Sequence, residues 1–224
     1  ISLREVYEAK NLARVLDYMK KSKETEINRE LILLLHQMLI GGIDDKIAGR
    51  FRDHGEYVRV GTHIAPPPEK VELMIESIIT GYTSDLSAYF LDKIAKFHLD
   101  FETIHPFCDG NGRIGRILMC FQLQRLGFPI IIIRDREKKE YYKSFGDYSH
   151  SGNTRTLEKV IFLGIIESLH KRITYLKGEK IIRLSQFIKN HNKSPSAMTN
   201  AARRQSIPAF REKGSWKISG NFES

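Results

Sequence analysis

The sequence predicts a mainly α-helical fold with one short β-hairpin, followed by a small basic unit made of a helix, a turn, a helix and a β-wing. Three observations lead to this prediction. Apolar residues recur with helical spacing through most of the first 177 residues. One segment, "EYVRVGTHI", alternates as a hairpin does. The last fifth of the chain is strongly basic and divides into much shorter elements.

The first helical segments follow from periodicity and from their boundary residues. "REVYEAKNLARVLDYMKKS" is an amphipathic helix, and "NRELILLLHQMLI" is a more apolar helix that ends at Gly41-Gly42. A break rich in Gly, Pro and charge then carries the hairpin. Pro68 fits the first turn of the next helix, "PPEKVELMIESIITGY", where its missing N–H is not needed. The apolar stripe of the first helix is predicted to comprise Val6, Ala9, Leu12, Ala13, Leu16 and Met19.

Four further segments continue the series. "SDLSAYFLDKIAKFHLDFETI" is predicted as a buried helix, capped by Ser84 or Asp85, that runs directly into His105. After a glycine-rich interruption, "RIGRILMCFQLQRLG" resumes helical spacing and stops at Gly127. "FPIIIIRD" is a short strand or an extended connector. "REKKEYYKSFGDYSHSG" and "TRTLEKVIFLGIIESLHKRITYL" complete the helices.

The basic tail has a different pattern. Gly178 marks a predicted boundary between a domain of residues 1–177 and one of residues 178–224. "RLSQFIKN" is a short helix, "HNK" a turn, and "SPSAMTNAARR" a second helix with Ser194 as N-cap and Pro195 in its first turn. "SIPAFREKGSWKIS" predicts two short strands around a Lys-Gly turn. This order of elements is typical of small nucleic-acid-binding units.

Composition fits a folded protein outside the membrane. Of the 224 residues, 41% are hydrophobic and 28% charged, as in ordinary globular domains. No apolar run approaches the roughly 20 residues that span a bilayer, which argues against a membrane protein. The chain begins with Ile1 rather than Met, so we expect its natural N-terminus to lie upstream. Cys108 and Cys120 lack CxxC spacing and clustered histidines, which argues against zinc and fits a reducing, cytoplasmic location.

The net charge of +9 is concentrated in the tail. Residues 179–224 contain nine Lys/Arg and three Asp/Glu, a net charge of +6, which leaves +3 for the rest of the chain. Such a concentrated basic segment is the electrostatic footprint expected for contact with DNA. A solvated basic surface that keeps the protein in solution is the alternative.

The segment "HPFCDGNGRIGR", residues 105–116, lies between two predicted helices and has the composition of a phosphate site. The N-terminus of the second helix offers unsatisfied N–H groups and a partial positive charge. Gly110 and Gly112 allow the backbone to approach a ligand closely. Arg113 and Arg116 are three residues apart on the new helix, so both guanidinium groups can reach the same mouth and bind phosphate oxygens.

Three more residues of the segment suggest chemistry on that phosphate. Asn111 tolerates a left-handed backbone and adds a side-chain donor. Asp109 would repel a phosphate unless it holds Mg²⁺ shared with phosphate oxygens. His105 is the nearby group that can take a proton near neutral pH. Taken singly these residues fit a turn, a helix cap or a solvated face, but together they predict phosphoryl or nucleotidyl transfer to a hydroxyl.

The segment resembles the Fic-family signature, HxFx(D/E)GNGRxxR, at every defining position. The resemblance extends to "FETI" before it, to "LMCFQLQRLGFPIIII" after it, and to "AGRFRDHGEYVRVGTHIAPPPEKVELM" upstream, and it covers roughly residues 1–177. It implies a Fic-type helical bundle that moves AMP from ATP to a Ser, Thr or Tyr hydroxyl of a target protein and releases pyrophosphate.

The resemblance also implies a role for each matching residue. His105 deprotonates the target hydroxyl, and Asp109 holds Mg²⁺ against the α- and β-phosphates. The remaining positions bind nucleotide. The anion hole is formed by Gly110, Asn111 and Gly112, and the outer phosphates are bound by Arg113 and Arg116. The nucleotide side of the site is lined by Tyr141 and Tyr142. Core packing is the alternative for both tyrosines.

The predicted hairpin corresponds to the family's flap, which pairs with an extended target segment by strand addition and brings its hydroxyl under His105. The docking residues are then Val58, Val60, Gly61, Thr62 and His63. A purely structural hairpin is the alternative.

Many members of the family carry an inhibitory helix with the pattern (S/T)xxxE(G/N), whose Glu pairs with the second motif arginine. No Glu in this sequence is followed by Gly or Asn. We therefore expect the inhibitory segment to lie upstream of this chain, or to come from an antitoxin partner. A homodimer is compatible with the sequence.

The tail "LSQFIKNHNKSPSAMTNAARRQSIPAFREKGSWKI" resembles small excisionase-like winged helix-turn-helix modules. That resemblance implies DNA binding through residues 179–224, and a protein-docking module is the alternative. A second class of function follows: a DNA-binding regulator whose Fic portion senses nucleotide, transfers another phosphate-containing group or removes AMP.

Overall fold

The computed structural model describes residues 2–22, 24–135 and 137–223, which form nine α-helices and five short strands. The chain divides into two compact units. Unit 1 comprises the residues up to Phe128 together with Phe145–Thr154, and unit 2 comprises Pro129–Ser144 together with the residues from Arg155 onward. The mainly helical architecture agrees with the predicted fold class.

Unit 1 is a helical bundle with one hairpin. Its helices are α1 (Leu3–Lys21), α2 (Arg29–Ile40), α3 (Pro68–Ser84), α4 (Phe90–Ile104) and α5 (Asn111–Arg125). The antiparallel hairpin consists of β1 (Arg59–Val60) and β2 (His63–Ile64). Helices α2, α4 and α5 carry most of the buried apolar side chains, among them Leu35, Ile94, Phe101, Ile114 and Phe121.

Two features of these elements confirm predictions from the sequence. Helix α2 ends at Gly41, and Gly42 then takes φ 76°, a left-handed value that favours glycine. Pro68 is the first residue of α3, where the helix has no use for an N–H donor. The hairpin also lies where the alternation of "EYVRVGTHI" predicts it, with Val60 opposite His63.

The predicted apolar stripe of α1 was wrong except for Met19, which is buried. Val6 and Leu12 are 52% and 40% exposed, and the buried residues are Asn11, Val15 and Met19. The orientation of the helix is fixed by the Asn11 amide, which donates to the carbonyls of Leu39 (3.0 Å) and Gly41 (2.9 Å). A buried pair of hydrogen bonds therefore decided which face of α1 is inward.

The predicted start of α4 was also wrong. Helix α3 continues through Ser84, and α4 begins at Phe90, so neither predicted residue caps it. The Asp85 carboxylate instead accepts from the backbone N–H groups of Ser87 and Ala88, both at 3.0 Å. This side-chain turn satisfies donors in the connection between the two helices.

Unit 2 contains α7 (Arg155–Leu176), α8 (Leu184–Asn190) and α9 (Pro195–Arg203), and α6 (Lys138–Ser151) runs across the division between the units. Strands β3 (Ile181–Arg183), β4 (Phe210–Glu212) and β5 (Ser215–Ser219) form an antiparallel sheet in the order β3-β5-β4. The tail has a core of its own, made of Ile182, Leu184, Phe187, Ile188, Met198, Ala202, Ala209 and Ile218.

The helix–turn–helix and the β-wing are present as elements. Ser194 caps α9 by accepting from the Ala197 N–H, and Pro195 opens the helix, as predicted. Strand β3 was not predicted, and "FPIIIIRD" is a connector rather than a strand. The compact units divide the chain elsewhere than residue 178, so the two proposed domains, 1–177 and 178–224, stay a prediction, as does membership of the tail in a winged helix-turn-helix family.

Within residues 2–22, 24–135 and 137–223, every helix is too short or too polar to cross a membrane.

Candidate active site

The motif forms a tight turn between the end of α4 and the start of α5. His105 caps α4 with a left-handed backbone (φ 51°, ψ 61°), and its N–H donates to the Phe101 carbonyl at 2.9 Å. Gly110 precedes α5 with φ 85°, which glycine adopts without strain. A Cβ at Gly110 would also lie 3.0 Å from Ile40 Cδ1, so this position excludes larger residues on two grounds.

Asn111 closes the turn from inside. Its Oδ1 accepts from the Phe107 N–H at 2.8 Å, and its Nδ2 donates to the Phe107 carbonyl at 2.7 Å. The side chain is only 2% exposed. The side-chain donor predicted for Asn111 is therefore used within the turn, and what remains for a ligand is the backbone.

The first turn of α5 has the features of an anion site. Within the described part of the chain, the backbone N–H groups of Asn111 and Gly112 have no acceptor. A Cβ at Gly112 would lie 3.3 Å from Arg116 Nη1, so the Arg116 guanidinium folds back over this turn. Arg113 extends from the same turn. N–H groups without an acceptor, the helix dipole and two guanidinium groups together favour a polyanion.

Charged side chains from the first two turns of α1 cover part of this anion site. Arg4 Nη2 lies 2.5 Å from Asp109 Oδ2, and Arg4 Nε lies 3.0 Å from Glu8 Oε1. Glu8 Oε1 in turn lies 3.0 Å from Arg113 Nη1, and Arg113 Nη2 lies 3.3 Å from Asp109. Neither α1 residue was predicted to belong to the site, because an Arg and a Glu four positions apart look like an ordinary surface pair.

These contacts keep Asp109 ionised. Burial opposes its charge, but the charge of Arg113, the hydrogen bond from Arg4 and the Gly110 N–H together lower the pKa of the carboxyl. The side chain is 41% exposed, so solvent and a dissolved cation can reach it.

His36 supports the turn from below. Its Nδ1 accepts from the Gly49 N–H at 3.0 Å, so in the neutral ring the proton is on Nε2, which donates to the Asp109 carbonyl at 3.0 Å. The ring stacks on Phe107 with centroids 3.7 Å apart. Burial lowers the pKa of His36 to about 4, which keeps it neutral. His36 was likewise not predicted to belong to the site.

A second buried group lies beneath α5. Burial raises the pKa of Glu102 to about 7, against the opposing effect of Arg116. His98 Nε2 lies 3.9 Å from Glu102 Oε1. A Cβ at Gly115 would collide with Glu102 Oε1 and lie 3.0 Å from His98 Cε1. The third glycine of the motif is therefore explained by the carboxyl group packed against it.

His105 is prepared to accept a proton. Its Nδ1 lies 3.3 Å from the Glu102 carbonyl, which can only accept, so Nδ1 carries the hydrogen and Nε2 the lone pair in the neutral ring. Burial lowers the pKa of His105, aided by the charge of Arg52. The neutral, basic form is therefore favoured at physiological pH.

The hairpin is exposed and contacts the end of α4. His63 Nε2 donates to the Thr103 carbonyl at 2.8 Å. Val58 and His63 are half-buried, whereas Gly61, Thr62 and the 49% exposed Val60 face solvent. The predicted flap residues thus lie on one short hairpin beside the motif, and their role in docking stays a prediction.

The two predicted nucleotide-side tyrosines lie in unit 2. Tyr141 is 2% exposed, whereas Tyr142 is 59% exposed, and their ring centroids are 5.4 Å apart. Burial fits the packing alternative for Tyr141. A nucleotide contact stays a prediction for both residues.

Other chemistry is less well supported in this region. Burial raises the pKa of the Cys108 thiol to about 11, so it stays protonated and is a poor nucleophile. The described residues contain no cluster of three or more His, Cys, Asp or Glu side chains that could hold a metal ion.

Comparison with known proteins finds similarity to one family over part of the chain. Residues 26–123 match the profile of the Fic/DOC family. "Protein adenylyltransferase Fic" of Drosophila sechellia is 31% identical over 211 residues, an alignment that covers 88% of this chain and 40% of the fly protein. The chain thus spans about 40% of the length of that curated relative.

Two solved structures are similar in fold. A Fic domain-containing signaling protein from Bacteroides thetaiotaomicron has a TM-score of 0.68 at 26% identity, covering 80% of this chain and 75% of the other. A Fic family protein from Desulfovibrio desulfuricans has a TM-score of 0.63, with an alignment that covers 100% of this chain and 78% of the other. At 18% identity the second likeness concerns the fold alone.

Proposed function

We propose, from the match of residues 26–123 to the Fic/DOC family, that this chain transfers AMP from ATP to a Ser, Thr or Tyr hydroxyl of a target protein. The observation that carries the proposal is the pairing of a basic His105 Nε2 with the anion-binding start of α5 at the two ends of one short turn. The target oxygen bonds to the α-phosphorus, the bond to the bridging β-phosphate oxygen breaks, and pyrophosphate leaves. His105 takes the hydroxyl proton.

The start of α5 binds the phosphates in this proposal. The backbone N–H groups of Asn111 and Gly112 face the α- and β-phosphates, while Arg113 and Arg116 bind the outer phosphates. The Gly110 N–H donates to Asp109 Oδ1 at 2.6 Å, so Gly110 contributes its left-handed backbone to the anion hole. Preorganised donors of this kind stabilise the charge that develops in phosphoryl transfer, where positioning and electrostatics supply most of the catalysis. The closed Phe107–Asn111 contact supports this role, because it fixes the backbone before ligand arrives.

Asp109 fits a Mg²⁺ ion that arrives with ATP. Its two oxygens already face guanidinium groups, at 2.5 Å from Arg4 and 3.3 Å from Arg113, so a cation is accommodated there. One carboxylate with phosphate oxygens and water is a usual ligand set for Mg²⁺. Bound there, the metal would neutralise phosphate charge.

The decisive test uses ATP labelled at either the α- or the γ-phosphate, with Mg²⁺ and a cell lysate. We expect the α-label, and not the γ-label, to appear on protein. His105→Ala should abolish the transfer, whereas His150→Ala, an exposed histidine on α6, should not. Transfer of γ-label would overturn AMP transfer. No label at all would favour the nucleotide-sensing alternative, and loss of label from protein already carrying AMP would favour the reverse reaction.

A second candidate function, DNA binding by the tail, is favoured by the exposed face of α9. Residues 180–211 contain seven Lys/Arg and no Asp/Glu. Met198 and Ala202 face the tail's core, which leaves Ser196, Asn200 and Arg203 exposed on the opposite face. Short polar side chains with an Asn and an Arg suit base edges in a major groove.

One basic residue of the tail is used elsewhere. Arg211 lies 2.7 Å from Glu137 and 2.7 Å from Glu167, and its side chain is only 13% exposed. Arg211 is therefore a structural residue of unit 2, and the expected charge on a DNA-facing surface falls by one.

Duplex binding by the full chain tests this second function. We expect steeply salt-dependent binding. Arg203→Ala should weaken it, whereas Arg172→Ala, an equal charge change on exposed α7, should have little effect. Binding that ignores salt, or that survives deletion of residues 179–224, would contradict a DNA role.

A further inference from the structure

A buried arginine outside the motif joins the hairpin to the motif turn. Arg52 is 3% exposed, yet no carboxylate lies within ion-pair distance of its guanidinium among the described residues. The nearest candidate, Glu56, binds Arg50 instead through two contacts of 2.7 Å. Burying a charge is costly unless its donors are hydrogen-bonded. The buried Arg52 guanidinium is tolerated because backbone carbonyls accept its hydrogen bonds.

On one side Arg52 holds the backbone around His105. Its Nε donates to the His105 carbonyl at 2.8 Å, and Nη2 donates to the Ile104 carbonyl at 3.2 Å. Its own backbone N–H donates to the Pro106 carbonyl at 2.8 Å. Three successive carbonyls at the negative end of α4 are thereby satisfied by one cationic residue. These contacts fix the left-handed backbone on which the His105 side chain is mounted.

On the other side the same guanidinium holds both ends of the hairpin. Nη1 donates to the Glu56 carbonyl at 3.0 Å, before the hairpin, and Nη2 donates to the Pro66 carbonyl at 2.9 Å, after it. The base of the hairpin is closed between these points by the Ala65 N–H, which donates to the Val58 carbonyl at 3.1 Å. Both ends of the hairpin are thus fixed relative to residues 104–106.

We infer that Arg52 is a positioning residue that sets the hairpin, and a target segment paired with it, at a fixed distance and orientation from His105. The inference rests on the proposed AMP transfer. Arg52 touches neither the motif's phosphate-binding turn nor the hairpin's outer edge; it acts through backbone carbonyls. A planar guanidinium with divergent donors can reach four carbonyls at once, whereas the single ammonium of Lys cannot.

The phosphate-binding end of the turn is held by other residues. Asn111 and His36 fix Phe107 and Asp109 independently of Arg52. Loss of Arg52 should therefore impair presentation of the target hydroxyl while leaving ATP binding nearly unchanged. A residue that served only general stability would impair both.

Hydrogen exchange of the full chain, without nucleotide, tests the structural part. In Arg52→Met we expect amides of residues 58–65, 104 and 105 to exchange about tenfold to hundredfold faster, the range for losing one or two hydrogen bonds to a charged group. Arg52→Lys should fall between, and it preserves the measurement if Arg52→Met does not fold. The control is Val15→Ala, which truncates a fully buried residue of α1. If the hairpin exchanges no faster in the Arg52 variants than in this control, the inference is overturned.

An assay of AMP transfer tests the positioning role itself. With α-labelled ATP and lysate, Arg52→Met should transfer label about a hundredfold more slowly at saturating ATP, the loss typical of misplaced reacting groups. Its Kd for ATP, measured by calorimetry, should change less than about twofold, within the range for sites that share no partner. An equal loss in ATP affinity would overturn the inference. If wild type itself transfers no label, the proposed AMP transfer fails instead, and the two failures are distinguished.

Discussion

The strongest quantitative prediction concerns His36, whose neutral ring holds the motif turn. Burial lowers its pKa from 6.5 to about 4, and the unfolded chain restores the ordinary value. Between these values the unfolded state binds more protons than the folded state, so stability falls as pH decreases through this window. Acidification should therefore destabilise unit 1 in part through His36, alongside His98, whose pKa burial also lowers to about 4.

The magnitude follows from the two pKa values. Protonation of the unfolded state alone destabilises the fold by about 2.0 kcal/mol at pH 5 and by about 0.2 kcal/mol at pH 7. When pH drops from 7 to 5, the free energy of unfolding of wild type should thus fall by about 1.8 kcal/mol more than that of a variant without this titration. His36→Gln is the matched change, because an amide can replace the Nε2–H donor to the Asp109 carbonyl.

The assay is urea-dependent hydrogen exchange of peptides from α2 and α4, which reads the free energy of unfolding of unit 1 itself. Wild type and His36→Gln are compared at both pH values, so contributions from other groups cancel in the double difference. His150→Gln, at an exposed position, controls for loss of a histidine. Equal losses in wild type and His36→Gln would refute the low pKa of His36.

Three other substitutions have defined outcomes. Gly115→Ala places a Cβ against Glu102, so we expect a loss of about 1–3 kcal/mol in urea unfolding. Arg4→Ala removes a guanidinium from Asp109, and the Kd for Mn²⁺, measured by electron paramagnetic resonance, should fall about twofold to fivefold. Asn111→Ala removes the two hydrogen bonds that close the turn, which should lower stability by about 1–3 kcal/mol and speed exchange of the turn amides.

Each substitution has a control in the same chain. Gly146→Ala adds a Cβ in open space on α6 and should raise stability by up to about 1 kcal/mol. Arg14→Ala makes the same charge change on exposed α1, and Asn190→Ala removes an exposed amide at the end of α8. A stable Gly115→Ala, a Mn²⁺ affinity equal in the two arginine variants, or normal turn exchange without Asn111 would contradict the corresponding argument.

The sequence was most informative where local rules decide structure. Period and end signals located the helices, and the glycines of the motif indicated the turn into α5, because caps, turns and amphipathic faces depend on neighbouring residues. The face of α1 was misassigned for a different reason. Asn11 is oriented by carbonyls nearly thirty positions away, and a count of apolar residues does not contain that contact.

The supports of the site were beyond sequence reasoning for the same cause. His36 in "LILLLHQMLI" looks like one polar residue in a core helix, and its partner is the carbonyl of Asp109, 73 positions later. Arg52 binds five backbone carbonyls, and a carbonyl has no residue identity that a pattern could reveal. Motif residues are recognised by type, whereas the residues that hold them are recognised by geometry.

The ion pairs between α1 and the motif turn link two parts of unit 1 energetically. A cation on Asp109 competes with Arg4, and an anion on Arg113 competes with Glu8. Ligand binding therefore weakens the ion pairs between α1 and the motif turn. By reciprocity, these ion pairs weaken ligand binding by the same free energy. Displacement of the start of α1 at Leu3 would break these ion pairs, so it must change ligand affinity without altering any residue of the motif.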